Sequence, residues 1–473
     1  MLKVELFLDD QMLSCQRNVG RRVETPAKHP KNPILQSEHP WEEDYVTVYG
    51  SVLRNETDTG FRMWYMSGLG KKEQMMNYAE SEDGITWRKP RLGITSYRDC
   101  KQTNILLGPE VNIHGPCVLR NPLEGKPDER YLVFYDSYSK YRPEVPEVQS
   151  VFRWTYTATS PDGLHWSPRQ GRPAVAGKSD TGQSVVWDPI RKRFLAYMRG
   201  VLDDHGTRVR YVRCAESEDF EHWENERELL RADERDGGAR GQLHQLSVTK
   251  YHDVYIGLLS LFHIDDVYST PEHPIFEEGK CDAQLVVSRD GVHWQRVADR
   301  AVFLPLGEDG QWDSQWIVTA SQMLLYDDKV WIYYAATDRT RSQGHRYQIG
   351  LAQLPRDRFV SLGPRHEGED GYIELKPQHY GTSDLAVNAD ASKGRIQVEL
   401  RTPEGKILDG FSRHDCTGIV GDDLNHAVHW QGKALRDATI EHNGPLRMRL
   451  YLCQARIFAL LFDERMSPAE KPR

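Results

Sequence analysis

Short runs in which apolar and aromatic residues alternate with polar ones recur along most of the chain, and helical periods of 10 to 15 residues between them are not found. The runs come in groups of three. VTVYGSVL, FRMWYMS and MNYAE lead to SEDGITW at Ser81, and PCVLRNP, RYLVFYDSY and WTYTAT lead to SPDGLHW at Ser160. SVVWDP, RFLAYMR and VRYVRCAE lead to SEDFEHW at Ser217, and HQLSVTKY, VYIGLLSLF and AQLVV lead to SRDGVHW at Ser288. A fifth group, VTASQMLLY, VWIYYAATD and YQIGLAQ, runs into LAQLPRDRF, a degenerate copy of the turn. Each group predicts three antiparallel strands, a tight hairpin and a fourth strand that usually carries Trp. In the hairpin, the Asp carboxylate folds onto nearby backbone N–H groups and the Gly supplies positive φ. The Trp is large enough to fill the space between successive sheets.

Five such units over roughly residues 45 to 370 predict an all-β chain built on a five-bladed β-propeller. After about residue 370 the repeat stops. GYIELKP, SDLAVNADA, GRIQVELRTPEGKILDGF, HAVHWQGKAL and PLRMRLYLCQARIFALLF read as the short strands of a β-sandwich. The expected boundaries are a propeller over 1–368, with the N-terminal run MLKVELFLDD counted among its strands, and a sandwich over 369–473.

Composition narrows the function classes. The chain is rich in aromatics (12 Trp, 22 Tyr, 13 Phe), and its 37 Gly and 25 Pro are spread throughout, as in a folded, turn-rich protein. The net charge is −9 with Lys and Arg interleaved among acids, so no footprint for nucleic acid or an anionic membrane surface is present. No apolar stretch of about 18 residues predicts a membrane span. Seven cysteines, odd in number and without a C-x-x-C pair, argue for a reducing, cytoplasmic setting for the chain as it stands. GLG at 68–70 lacks the third glycine of a dinucleotide fingerprint, GxSxG, HExxH and P-loop motifs are missing, and the histidines lack metal-ligand spacing. No cofactor and no metal are expected.

A five-bladed propeller with S-x-D-G-x-x-W hairpins followed by a β-sandwich resembles the furanosidase-type glycoside hydrolases, that is, the invertase and fructosidase family and the related arabinosidase and xylosidase propellers. The resemblance implies a carbohydrate substrate and three carboxylates set in a central funnel near the starts of inner strands. The short motifs of those families, Asn-Asp-Pro-Asn-Gly, Arg-Asp-Pro and Glu-Cys, do not stand in this sequence at the corresponding places, where HPWEEDYVTVYG, SDTGQSVVWDP and GQLHQLS are found. The candidate acids are therefore those that precede inner strands.

Blade one offers Glu42 and Asp44 beside Trp41, blade two Glu110 near His114, blade three Asp180, and blade five Asp313 in QWDSQW with Trp316. Blade four offers His244 between Gln242 and Gln245. Glycoside cleavage needs one protonated and one ionised carboxyl. Glu42 against Trp41, or Asp313 between two tryptophans, suits the proton donor, and Asp180 with Arg199 or Arg208 suits the ionised partner. Loops between second and third strands share the funnel face and add Arg199 and Arg208, Asp282, and Arg339 and His345 as sugar-binding candidates. The leading expectation is an exo-acting glycoside hydrolase with Glu42, Asp180 and Asp313 as its acids. A catalytically silent glycan-binding propeller and a protein-interaction scaffold are the alternatives.

Overall fold

The computed structural model describes residues 2–68, 73–137, 153–169, 173–180, 182–204, 207–268, 276–344, 346–366 and 368–464. The chain divides into two compact units, one comprising Pro26–Arg296 and Val302–Gln353, the other Met1–Thr25, Val297–Ala301 and Leu354–Arg473.

The first unit is the five-bladed propeller. Blade I runs outward through Val46–Arg54, Phe61–Ser67, Met75–Ser81 and Ile105–Leu107. Blade II has Ile113–Arg120, Tyr131–Ser137 and Arg153–Ser160, edged by Ser167–Pro168 and Val175–Ser179. Blade III has Ser184–Asp188, Arg193–Asp204, Thr207–Ser217 and Glu224–Leu230. Blade IV has Gly241–Tyr251, Val254–Tyr268 and Phe276–Ser288, edged by Trp294–Arg296 and Val302–Leu304. In blade V, Trp316–Thr319 and Leu324–Tyr326 both pair with Lys329–Thr337, which is followed by Gln348–Pro355. The outermost strand of blade V comes from the start of the chain. Ala27–Lys28 pairs with Ala352 and Gln353, Leu35 bridges Ile349, and the Asn32 side chain hydrogen-bonds both backbone groups of Leu351 at 2.9 Å. The ring is thus closed by residues that precede blade I.

Inner strands meet around the axis through small hydroxyls. Ser51 and Ser321 lie 2.7 Å apart, Ser184 donates to the Ser321 carbonyl at 2.7 Å, and Thr319 donates to Ser247 at 2.9 Å. Each of these buried hydroxyls finds a partner.

The repeated hairpins join neighbouring blades on the face opposite the starts of the inner strands. In each, the Ser hydroxyl accepts the N–H three residues on, at 2.8–2.9 Å, and the Asp carboxylate accepts the next two backbone N–H groups. Gly84, Gly163 and Gly291 have φ of 71°, 75° and 76°, and Phe220 occupies the same left-handed position at 66°. The three glycine carbonyls receive a donor from the second strand of the preceding blade: Tyr333 to Gly84 at 2.9 Å, Trp64 to Gly163 at 2.7 Å and Tyr197 to Gly291 at 2.9 Å. The motif tryptophans pack against the same neighbours, Trp87 on Tyr333, Trp223 on Phe134 and Trp294 on Tyr197, with ring centres 4.8–5.9 Å apart. They fill the gap between blades as the sequence implied, although each remains half-buried.

The second unit is a nine-stranded antiparallel sheet folded round one apolar core. Its long strand, Ser383–Arg401, pairs with Arg456–Glu464 through its first half and with Arg447–Cys453 through its second, so one strand serves both layers of the sandwich. A short α-helix, Leu435–His442, buries Leu435 and Ala438; nothing in the spacing of the sequence had marked it. The N-terminal run belongs here and not to the propeller. Leu2–Leu6 pairs with Arg456–Glu464, Leu13–Arg17 with Gly371–Leu375, and Val19–Val23 with Val360–Pro364. Alternating residues in an isolated terminal strand fit any half-buried sheet edge, and Val4, Leu6, Leu13 and Val19 are buried at this one.

Candidate functional site

Antiparallel order places the start of each inner strand beside the end of the second strand, as in the pairings Ser184 with Tyr197 and Gly241 with His263. Polar residues at these positions converge on one face of the propeller. Three of the inner strands are bulged there. The register slips between Thr47 and Ser51 in blade I, opposite Phe134 and Asp136 in blade II, and between Leu243 and Gln245 in blade IV. A bulge inserts one residue and re-aims the side chains around it. Tyr49 and His244 lie within the slipped segments, and His114 borders the one in blade II.

These form one connected group. Arg199, in the middle of the second strand of blade III and two residues past the Tyr197 that pairs with Ser184, donates to Asp180 Oδ2 at 2.5 Å and to His244 Nδ1 at 3.2 Å. A guanidinium can only donate, so Nδ1 of a neutral His244 presents its lone pair and Nε2 carries the proton. That proton points at Tyr49 Oη, 2.7 Å away. His114 Nε2 lies 3.9 Å from the other oxygen of Asp180, and its ring is 5.6 Å from that of Tyr49. Trp316 closes the group edge-on to His244 at 5.1 Å, and its indole N–H has no hydrogen-bond partner among the described residues. Arg199, His114 and Trp316 are buried, whereas the Asp180 side chain retains 47% of its exposure, which leaves a carboxylate open to a ligand.

A second cluster adjoins the first through Phe262, whose ring lies 4.6 Å from Trp316 and 5.6 Å from the guanidinium of Arg210. Glu277 is buried and faces three arginines. Arg210 grips both its oxygens, Arg341 comes within 3.5 Å and Arg208 within 4.0 Å. Burial alone would raise the Glu277 pKa, but the hydrogen bonds and charge of Arg210, with Arg208 and Arg341 behind it, bring it below the usual carboxylate range. Burial pulls Arg210 down to about 10 and also lowers Arg341, and the charge of Arg199 pushes both the same way. On the other face of the same strands, Asp282 lies 3.3 Å from His263, and its hydrogen bond raises the His263 pKa.

Of the residues singled out from sequence, His114, Asp180, Arg199, His244 and Trp316 are brought together, Arg208 stands in the adjoining cluster, and Asp282 pairs with His263 apart from both. Glu42 is not available to a ligand. It is fully buried, with Oε2 accepting from the Glu38 and His39 N–H groups at 2.7 and 3.0 Å, Oε1 from Tyr65 at 2.5 Å, and Lys89 within 3.0 Å of both oxygens. Trp41 stacks on His39 and donates to Asn104 in the packing of blade I. Asp313 is also sealed, 2.7 Å from Lys28 of the closing strand and 3.1 Å from Tyr334. Asp44 and Glu110 are exposed turn residues, the first at φ 58° and the second holding the Gly108 N–H at 3.1 Å. Arg339 is half-buried, with its N–H on Thr337, and His345 lies outside the described residues.

The sequence reading overlooked Tyr49, Arg210, Glu277 and Asp136. Asp136 is fully buried on the second strand of blade II, paired in register with His114, and accepts from Gln183 at 2.8 Å. Its signal was an acid at the end of a second strand, which reaches the same face as the start of the first. Among the described residues no group of three or more His, Cys, Asp or Glu is placed to hold a metal ion, and no helix is long and apolar enough to cross a membrane.

No protein-family model matches the sequence, and no curated protein matches it either. Solved structures with a similar course of chain include a glycoside hydrolase (16% identity, covering 70% of this chain and 92% of that one, TM-score 0.45). Others are an N-acetylgalactosamine deacetylase from F. plautii (14%, 72% and 97%, TM-score 0.48) and an endo-arabinase from Bacteroides thetaiotaomicron (12%, 70% and 98%, TM-score 0.43).

Proposed function

We propose that the propeller is a glycoside hydrolase that takes a terminal sugar into the funnel, with Asp180 as its principal carboxylate. The observation that carries this reading is the arrangement around Asp180: a half-exposed carboxylate, salt-bridged to a buried Arg199 and flanked by His114, with Tyr49, His244 and Trp316 completing the wall. Asp180 supplies negative charge to a sugar ring that becomes positive in the transition state. His114, on the side of Asp180 away from the Arg199 contact, is the adjoining proton carrier, and Asp136 is the second carboxylate within the same blade as His114. A panel of aryl glycosides, furanosides included, tests the reading with wild-type protein, Asp180→Asn and His114→Gln. Turnover by the wild type that falls by orders of magnitude in both variants is expected.

A second reading, a glycan-binding propeller without turnover, is favoured by one observation: Glu42 and Asp313 are locked into structural ion pairs, so they add nothing to Asp180. Saturable sugar binding with no hydrolysis across the panel would select it.

A further inference from the structure

The chain as a whole is acidic, at −9, yet the wall of the funnel beside Trp316 is basic. Arg208, Arg210 and Arg341 share one carboxylate, Glu277, and Arg199 stands close enough for its charge to act on Arg210 and Arg341. The other acids nearby have their own partners. Asp180 is held by Arg199, and Glu278 accepts the backbone N–H groups of Arg341 and Ser342 at 2.8 and 2.9 Å. Among the described residues four guanidinium groups therefore face two salt-bridged carboxylates, Asp180 and Glu277, with a third, Glu278, held on the backbone beside Arg341.

Such an excess is costly when buried, because like charges repel strongly where water is scarce. Arg210 has its fork fully engaged by Glu277, so it acts as the anchor. Arg341 uses one nitrogen on the Glu277 carbonyl at 2.6 Å and rests against the rings of Phe276 and Phe262 at 4.9 and 5.6 Å. Arg208 remains 39% exposed and 4.0 Å from Glu277, so that carboxylate does not grip its fork as it grips that of Arg210. Guanidinium groups in this setting match the paired oxygens of a carboxylate, sulfate or phosphate.

We propose that the funnel selects glycans that carry an anionic substituent, gripped by Arg208 and Arg341 while the sugar ring lies against Trp316 and Asp180. This deepens the carbohydrate reading above and rests on it. The local basic wall in an acidic protein then draws the charged end of the glycan to the right side of the mouth.

The test is isothermal titration of the full chain with matched sugars: glucose against glucuronate, galactose against galacturonate, and each neutral sugar against its 6-sulfate and 6-phosphate, with inorganic sulfate as a separate titrant. The expected result is that at least one anionic class binds at least tenfold more tightly than its neutral counterpart, with a preference that fades as salt rises. The class that wins distinguishes a uronate from an ester. Arg208→Gln, at a partly exposed position compatible with folding, and Arg341→Gln should each cut the anionic-to-neutral affinity ratio at least fivefold. Neutral sugars that bind as tightly as every anionic counterpart would overturn the inference and leave the carbohydrate reading standing. Arg208-dependent binding of inorganic sulfate, with no sugar of either kind bound, would uphold the anion site and overturn the carbohydrate reading instead.

Discussion

Replacing Glu42 by Gln separates a structural acid from a catalytic one. The carboxylate receives two backbone N–H groups, the Tyr65 hydroxyl and the Lys89 ammonium, and it is fully buried, while the Lys89 side chain keeps only 3% of its exposure. The amide of Gln turns one acceptor into a donor that must face a donor, and it removes the charge that balances Lys89. Breaking one side of a buried ion pair costs about 3–5 kcal/mol. Here the lower end applies, about 3 kcal/mol, because Tyr65 can rotate its hydroxyl to accept and Lys89 keeps the Gln36 carbonyl and Glu38 as partners. At roughly 2 °C per kcal/mol for a large unit, the propeller transition should fall by about 6 °C in differential scanning calorimetry, with sugar binding measured below the transition unchanged. A Glu42→Gln protein that melts with the wild type but has lost turnover would refute the structural assignment and return Glu42 to the chemistry.

Asp180→Asn should lower melting by about 2–4 °C, since it takes the carboxylate from buried Arg199 while itself being half-exposed, and should lower kcat by orders of magnitude with little change in KM; wild-type turnover would remove it from the site. Gly163→Ala puts a Cβ 2.9 Å from the Trp64 ring at φ 75°, so chemical denaturation should show a loss of about 2–4 kcal/mol, and an unchanged midpoint would contradict the inter-blade lock. Burial opposes ionisation of Asp83, but the N–H groups of Thr86 and Ile85 hold it at about 2, below the unfolded value near ~3.9. Its contribution is therefore present above about pH 4 and lost as pH falls toward 2, and Asp83→Asn should flatten that acid limb in a pH series of melting temperatures.

The propeller was legible because its hairpin is written four times in nearly the same letters, and the shared Ser, Asp and Trp, with Gly in three of the four, each serve the turn mechanically. Ser and Asp bind its backbone, Gly takes positive φ and Trp fills the gap between blades. The candidate site was legible mainly where an inner strand starts plainly, as at His114, Asp180, His244 and Trp316. Glu42 misled because closeness to an inner strand along the chain does not say which way a side chain faces. The 3-10 turn Pro40–Glu42, followed by left-handed Glu43 and Asp44, swings it into blade I. Tyr49 was missed for a related reason, since the bulge around it breaks the alternation from which its direction would be read. Asp136 and Glu277 sit at the open ends of second and third strands, and only the pairing of strands brings them to the funnel face.

The closing strand of blade V imposes an order of events on biosynthesis. Ala27–Lys28 leaves the ribosome early, but its partner, Gln348–Pro355, is made more than 300 residues later. At roughly 5–20 residues per second, this strand waits on the order of tens of seconds for its partner. Blade V is correspondingly the last to be completed, whichever blade nucleates. A strand of only two residues, ending in Lys28, whose ammonium is destined for Asp313, presents little unpaired edge during that interval, which limits pairing with other nascent chains.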